Sequence, residues 1–107
     1  MLNKDYIIQI VEQIKEESPD RIILFGSYAY GTPDQESDID LLVIKDIPSS
    51  EVRDFRVMLK YKLWNLIKKW NIPVDIVVDS EKRINQRVNE GDMFYKEILT
   101  KGTIIYA

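Results

Sequence analysis

The stretch that decides the fold is RIILFGSYAYGTPDQESDIDLLVI, residues 21–44. Arg21 to Phe25 read as a buried strand, and Gly26 ends it with a residue that lets the chain turn sharply and bring backbone N–H groups close to a ligand. Ser27 then opens a short turn or helix. A helix start leaves N–H groups unpaired and carries partial positive charge, so phosphate groups suit it, and the Ser27 hydroxyl adds a donor. The turn formers Gly31, Thr32, Pro33 and Asp34 return the chain to a second strand, from about Ile39 to Ile44. Strand alternation sets Asp38 and Asp40 on one side and sends Ile39, Leu41 and Val43 into the core.

Two carboxylates on one side repel, and each raises the pKa of the other; a hard divalent cation held by their oxygens removes that penalty. Magnesium is the expected ion, because it takes one or two protein carboxylates and completes its shell with water and phosphate oxygens. A third acid interrupts the apolar run Val74, Asp75, Ile76, Val77, Val78. An ionised aspartate is seldom buried without a partner, so Asp75 is expected on the open face of its strand beside Asp38 and Asp40. Three carboxylates there have oxygens enough for two Mg2+ ions.

Outward from this centre, Ile7, Ile10, Val11 and Ile14 recur at helical spacing, predicting an amphipathic helix over about 4–17, ended by Ser18 and Pro19. After the second strand, Ser49 or Ser50 is placed to cap a long helix with Val52, Phe55, Leu59, Leu63, Leu66 and Trp70 on one face, the crossover to the Asp75 strand. Asp79 and Ser80 cap a third helix to about Asn89, and Gly91 breaks it. Asp92 starts another helix holding Phe94, Ile98 and Leu99, and Thr103 to Tyr106 end in a short strand. This order predicts an α+β fold: a small mixed β-sheet with helices packed mainly on one face and the acids on or beside the less covered face.

The 107 residues, 45% hydrophobic and 31% charged, suit one domain over 1–107. A net charge of −3 argues against a nucleic-acid polymer as substrate. With no cysteine and no histidine, thiolate nucleophiles, imidazole bases and the usual zinc ligands are excluded, and carboxylates are left to do the chemistry. The N-terminus has no secretory pattern and no apolar stretch reaches membrane-spanning length, so a cytoplasmic location away from membranes is expected.

The glycine–serine turn, the acids Asp38 and Asp40 at that distance, Gly31 and Ser37 between them, the apolar strand that follows and the later lone Asp75 together resemble the nucleotidyltransferase superfamily of DNA polymerase beta. The likeness is greatest to its minimal nucleotidyltransferase branch and covers nearly the whole chain. It implies a nucleotidyltransferase-like core, with Gly26 and Ser27 binding nucleotide and with Asp38, Asp40 and Asp75 both catalytic and metal-holding, Asp75 on the acceptor side. It further implies ATP as donor, a helical HEPN-type toxin as partner in a hetero-oligomer, and transfer of AMP to a tyrosine of that toxin, the chain acting as antitoxin. One departure stands out: family members often carry basic residues just after the serine, where this chain has Tyr28 and Tyr30. Two rival expectations follow, nucleotidyl transfer to a small molecule such as an aminoglycoside, and a module that only masks its partner.

Overall fold

The structure, a computed structural model, describes residues 4–31 and 38–107. Helix α1 (Lys4–Lys15) precedes strand β1 (Arg21–Phe25), the single turn α2 (Ser27–Tyr30) and strand β2 (Ile39–Ile44). The long helix α3 (Ser49–Trp70) leads to β3 (Val74–Asp79), then come α4 (Glu81–Asn89), α5 (Met93–Lys101) and β4 (Thr103–Tyr106). The helix ends follow local chemistry. Ser80 caps α4 by accepting from the Arg83 N–H at 3.2 Å, and Asp92 caps α5 by accepting from the Tyr95 N–H at 3.0 Å. Asn71, in the left-handed conformation, closes α3. The expected serine cap of α3 is not formed: Pro48 precedes the first turn, and Ser49 and Ser50 lie inside the helix, where a fixed proline φ presets the entry without a side-chain bond.

The four strands lie in the order β3-β2-β1-β4. β1 pairs antiparallel with β2 and β4, while β2 and β3 pair parallel, as a crossover through α3 requires. Alternation then divides the core. Ile22, Leu24, Ile39, Leu41, Val43, Val74, Ile76 and Val78 meet Tyr6, Ile10, Ile14, Leu59 and Leu63 of α1 and α3. Ile23, Leu42 and Ile44 on the opposite face meet Ile84, Tyr95 and Ile98 of α4 and α5. The heavier cover is on one face, as expected, but the second face carries its own small core. Within α5 the buried residues are Tyr95 and Ile98; Phe94 and Leu99 stay exposed, since a short helix presents only a narrow stripe to the sheet.

Two anchors fix the layers. The Tyr6 hydroxyl donates to the Ile72 carbonyl at 2.7 Å and its ring stacks on Trp70, tying α1 to the end of α3; burial pushes that hydroxyl up to about 12, with Tyr28 adding to the shift. On the other face the Tyr95 hydroxyl donates to Asp79 at 2.8 Å, and burial, then that bond, pushes its pKa upward. Among the described residues no helix is long and apolar enough to cross a membrane.

Candidate active site

Register brings the singled-out residues together at one end of the sheet. Phe25 pairs with Asp40 across β1 and β2, and Asp40 pairs with Asp75 across β2 and β3, so turn and acids form a row about two strand spacings long, roughly 10 Å. Asp40 shares the side of β2 that carries Leu42 and Ile44, and Asp75 the side of β3 that carries Val77, which puts both acids on the face covered by the smaller α4–α5 core. This is the less covered face expected for them. Asp38 lies just before β2 and is exposed.

The glycine is tied to the acid beside it. Gly26 has φ 75 and ψ −162, a region open essentially to glycine alone. A Cβ built on it would overlap the Asp40 Oδ2 and stand 3.2 Å from its Cγ. Gly26 therefore both turns the chain and leaves room for the carboxylate to lie across the turn. Its carbonyl accepts from the Ala29 and Tyr30 N–H groups at 3.0 and 3.1 Å, which closes α2. Because α2 is a single turn, its dipole is small, and what the turn offers are its N–H groups and the Ser27 hydroxyl.

Electrostatics centre on Asp40. Its pKa is raised, first by burial, then by the charge of Asp75, then by that of Asp38. All three acids thus act on one point, and among the described residues no cation or hydrogen-bond donor neutralises Asp40 or Asp75. The donor set is oxygen only, which fits a hard divalent cation and disfavours soft metals. Among the described residues, however, no three acidic side chains already stand close enough to form a metal cage, so the three-carboxylate ligand set is not preassembled.

The two tyrosines after the serine part ways. Tyr28 packs into the α1–α3 core, while Tyr30 is exposed at 40%. Sequence reasoning missed a further feature next to the acids: Trp64 is exposed on α3 with Val57 and Tyr61, and these three line a groove that reaches Asp75. The signal was present in the sequence, since 57, 61 and 64 repeat at i, i+4 and i+7 off the stripe formed by Leu59 and Leu63.

The chain is similar to several known proteins. A "Putative protein adenylyltransferase" of Methanocaldococcus jannaschii is 34% identical over 86 residues, spanning 80% of this chain and 77% of its own. A second protein of the same name and organism is 32% identical over 80 residues, spanning 67% and 74%. Among solved structures, a toxin–antitoxin protein crystallised with AMP-PNP superposes with a TM-score of 0.56 at 22% identity, covering 99% of this chain and 74% of its own. A structure of a "putative nucleotidyltransferase" from Sulfolobus solfataricus gives a TM-score of 0.56 at 21% identity, covering 94% of this chain and 76% of its own. These likenesses establish the fold. The family model described as "Nucleotidyltransferase domain" matches residues 6–105, from the first buried turn of α1 to the last strand, and the chain belongs to that family.

Proposed function

We propose that this nucleotidyltransferase moves the AMP of ATP onto a hydroxyl of a partner protein, a tyrosine of a helical HEPN-type toxin, and so serves as the antitoxin of a two-component system. The observation that carries the reading is the register Phe25–Asp40–Asp75 with Gly26 directly after Phe25, a glycine–serine turn on one side of paired acids and the β3 edge of the sheet on the other. The names of the two adenylyltransferase relatives and the AMP-PNP-bound toxin–antitoxin neighbour point the same way.

In this reading the N–H groups after Gly26 and the Ser27 hydroxyl hold the β and γ phosphates. The acceptor oxygen forms a bond to the α phosphorus as the α–β bridging P–O bond breaks, and pyrophosphate leaves opposite. The hydroxyl proton passes to Asp75, whose carboxylate stands on the acceptor side of Asp40. Asp38, Asp40 and Asp75 would hold Mg2+, two ions at full occupancy, which supplies charge neutralisation along an in-line displacement. Holding such an ion also relieves the repulsion that raises the Asp40 pKa. Incubation of the chain with labelled ATP, Mg2+ and the protein encoded beside it, followed by mass analysis, should show that protein heavier by one AMP. Asp38→Asn or Asp40→Asn should abolish the label while the chain stays folded; an unmodified neighbour, or full transfer by either variant, rejects the reading.

A masking module is the second reading, favoured by one specific pair of observations: tyrosines stand where cations often stand, and the three-acid cage is not preassembled. Calorimetry with ATP, with and without Mg2+, separates the two, because a masking protein shows no metal-dependent nucleotide binding.

A further inference from the structure

Beyond β3 the sheet has no further strand among the described residues, and α3 runs beside that edge. Between them lies a groove of about 900 Å³, with Val57, Tyr61 and Trp64 on the helix wall and Val74, Asp75 and Ile76 along the strand. The three wall residues are 51%, 84% and 57% exposed, although all are large and apolar-bodied and none belongs to the stripe that buries Leu59 and Leu63. A contiguous patch of this kind on a small domain marks an interaction surface. Arg56 and Lys60 stand on the same wall, a local cationic rim on a chain whose net charge is −3. Lys60 Nζ donates to the Val74 carbonyl at 2.6 Å, on the outer side of the edge strand.

Position decides what the groove is for. Asp75 is the last of the acids before the β3 edge; its side chain lies on the α4–α5 face while the groove runs along the same edge on the α3 face, so an occupant of the groove reaches the acid around the edge strand, on the far side of Asp40 from the Gly26–Ser27 turn. A nucleobase is too small a guest: Val57 to Trp64 extend about 10 Å along the helix.

Resting on the adenylyl-transfer reading above, we infer that the α3–β3 groove docks an amphipathic segment of the acceptor protein, apolar where it meets Val57, Tyr61 and Trp64 and carrying carboxylates opposite Arg56 and Lys60, and thereby sets the acceptor hydroxyl beside Asp75. The groove then governs acceptor affinity and leaves ATP binding alone. The test uses the full-length chain, ATP with Mg2+, and the purified protein encoded beside it as acceptor. In the double variant Tyr61→Ala/Trp64→Ala, and separately in Arg56→Glu, the acceptor KM should rise about tenfold or more, a loss of about 1.4 kcal/mol in binding. The kcat at saturating acceptor, the affinity for a fluorescent ATP analogue and the melting temperature should be unchanged. An unchanged acceptor KM overturns the inference. So does a parallel loss of ATP-analogue affinity, which would assign the groove to the base, or conversion of a dimeric wild-type chain to a monomer with acceptor KM unaltered. A wild-type chain that leaves the neighbour unlabelled overturns the underlying reading and the inference with it, a result distinct from the others.

Discussion

Strand β3 carries two aspartates four residues apart on the same face, and their surroundings differ completely. At one end Asp79 is saturated: its Oδ1 accepts from the Ser80 N–H at 2.9 Å and from Arg83 Nε at 2.6 Å, and its Oδ2 accepts from the Tyr95 hydroxyl at 2.8 Å. Arg83 in turn donates to the Ile47 carbonyl at 2.7 Å, so one carboxylate ties β3, α4, α5 and the β2–α3 loop together. At the other end Asp75 faces Asp40 with no cation between them among the described residues. Asp79 is mostly covered, and a buried charge without partners is costly, so donors surround it; Asp75 is exposed, so water can solvate it and it stays open to a ligand.

Four substitutions can break or sharpen this contrast. The largest effect should come from Gly26→Ala at the unsatisfied end. The new methyl overlaps the Asp40 carboxylate and the backbone leaves a glycine-only region, so AMP transfer should fall at least about a hundredfold. A labelled-ATP assay measures it, and wild-type rates in this variant would show that the Asp40 position is immaterial. At the satisfied end Asp79→Ala strands the Tyr95 hydroxyl and the Arg83 guanidinium. It should cost roughly 3 kcal/mol, lowering Tm by more than about 10 °C in a domain of this size, and a calorimetric scan reads that directly.

Asp40→Asn should act in the opposite sense on stability. Because the folded chain raises this pKa, the stability tied to Asp40 is present below the ordinary aspartate range and is lost as pH rises through the raised value. Asparagine removes that loss, so the variant should melt a few degrees above wild type at neutral pH, with the gap closing in acid; a variant that melts lower at neutral pH contradicts the repulsion. The smallest effect belongs to Asp92, half-buried at the start of α5. Its pKa is held down by the Tyr95 backbone N–H, then by Arg87, so its contribution is present above the ordinary aspartate value and lost as pH falls through the lowered one. Asp92→Ala should lower Tm slightly at neutral pH and scarcely at all in strong acid, which melting curves at the two pH values can check.

Much of the fold was legible because its signals are local. The runs 21–25, 39–44 and 74–78 announced strands, and Ser80 and Asp92 announced the starts of α4 and α5. Pro48 misled the assignment of the α3 cap because a proline preset is weaker evidence in sequence than two adjacent serines, though in the chain it removes the need for them. Phe94, Ile98 and Leu99 lie on α5 as expected, but which of them is buried was not legible, because a nine-residue helix has several apolar stripes and only the sheet selects among them. Ser37 falls outside the described residues. At the site, Gly26, Ser27, Asp38, Asp40 and Asp75 were all readable as residue types at telling spacings. Their order across the sheet and the overlap that makes Gly26 obligatory beside Asp40 were not, since both depend on strand register.

Taken alone, the order of residues determined the elements, the chemical inventory of carboxylates without thiols or imidazoles, and the family. Tertiary structure decided which acids face each other, which are neutralised and which wall of α3 stays open. The reason is physical: periodicity and turn chemistry act over a few neighbouring residues, whereas charge pairing, desolvation and grooves arise between segments that meet only when the parallel β2–β3 pairing closes over α3.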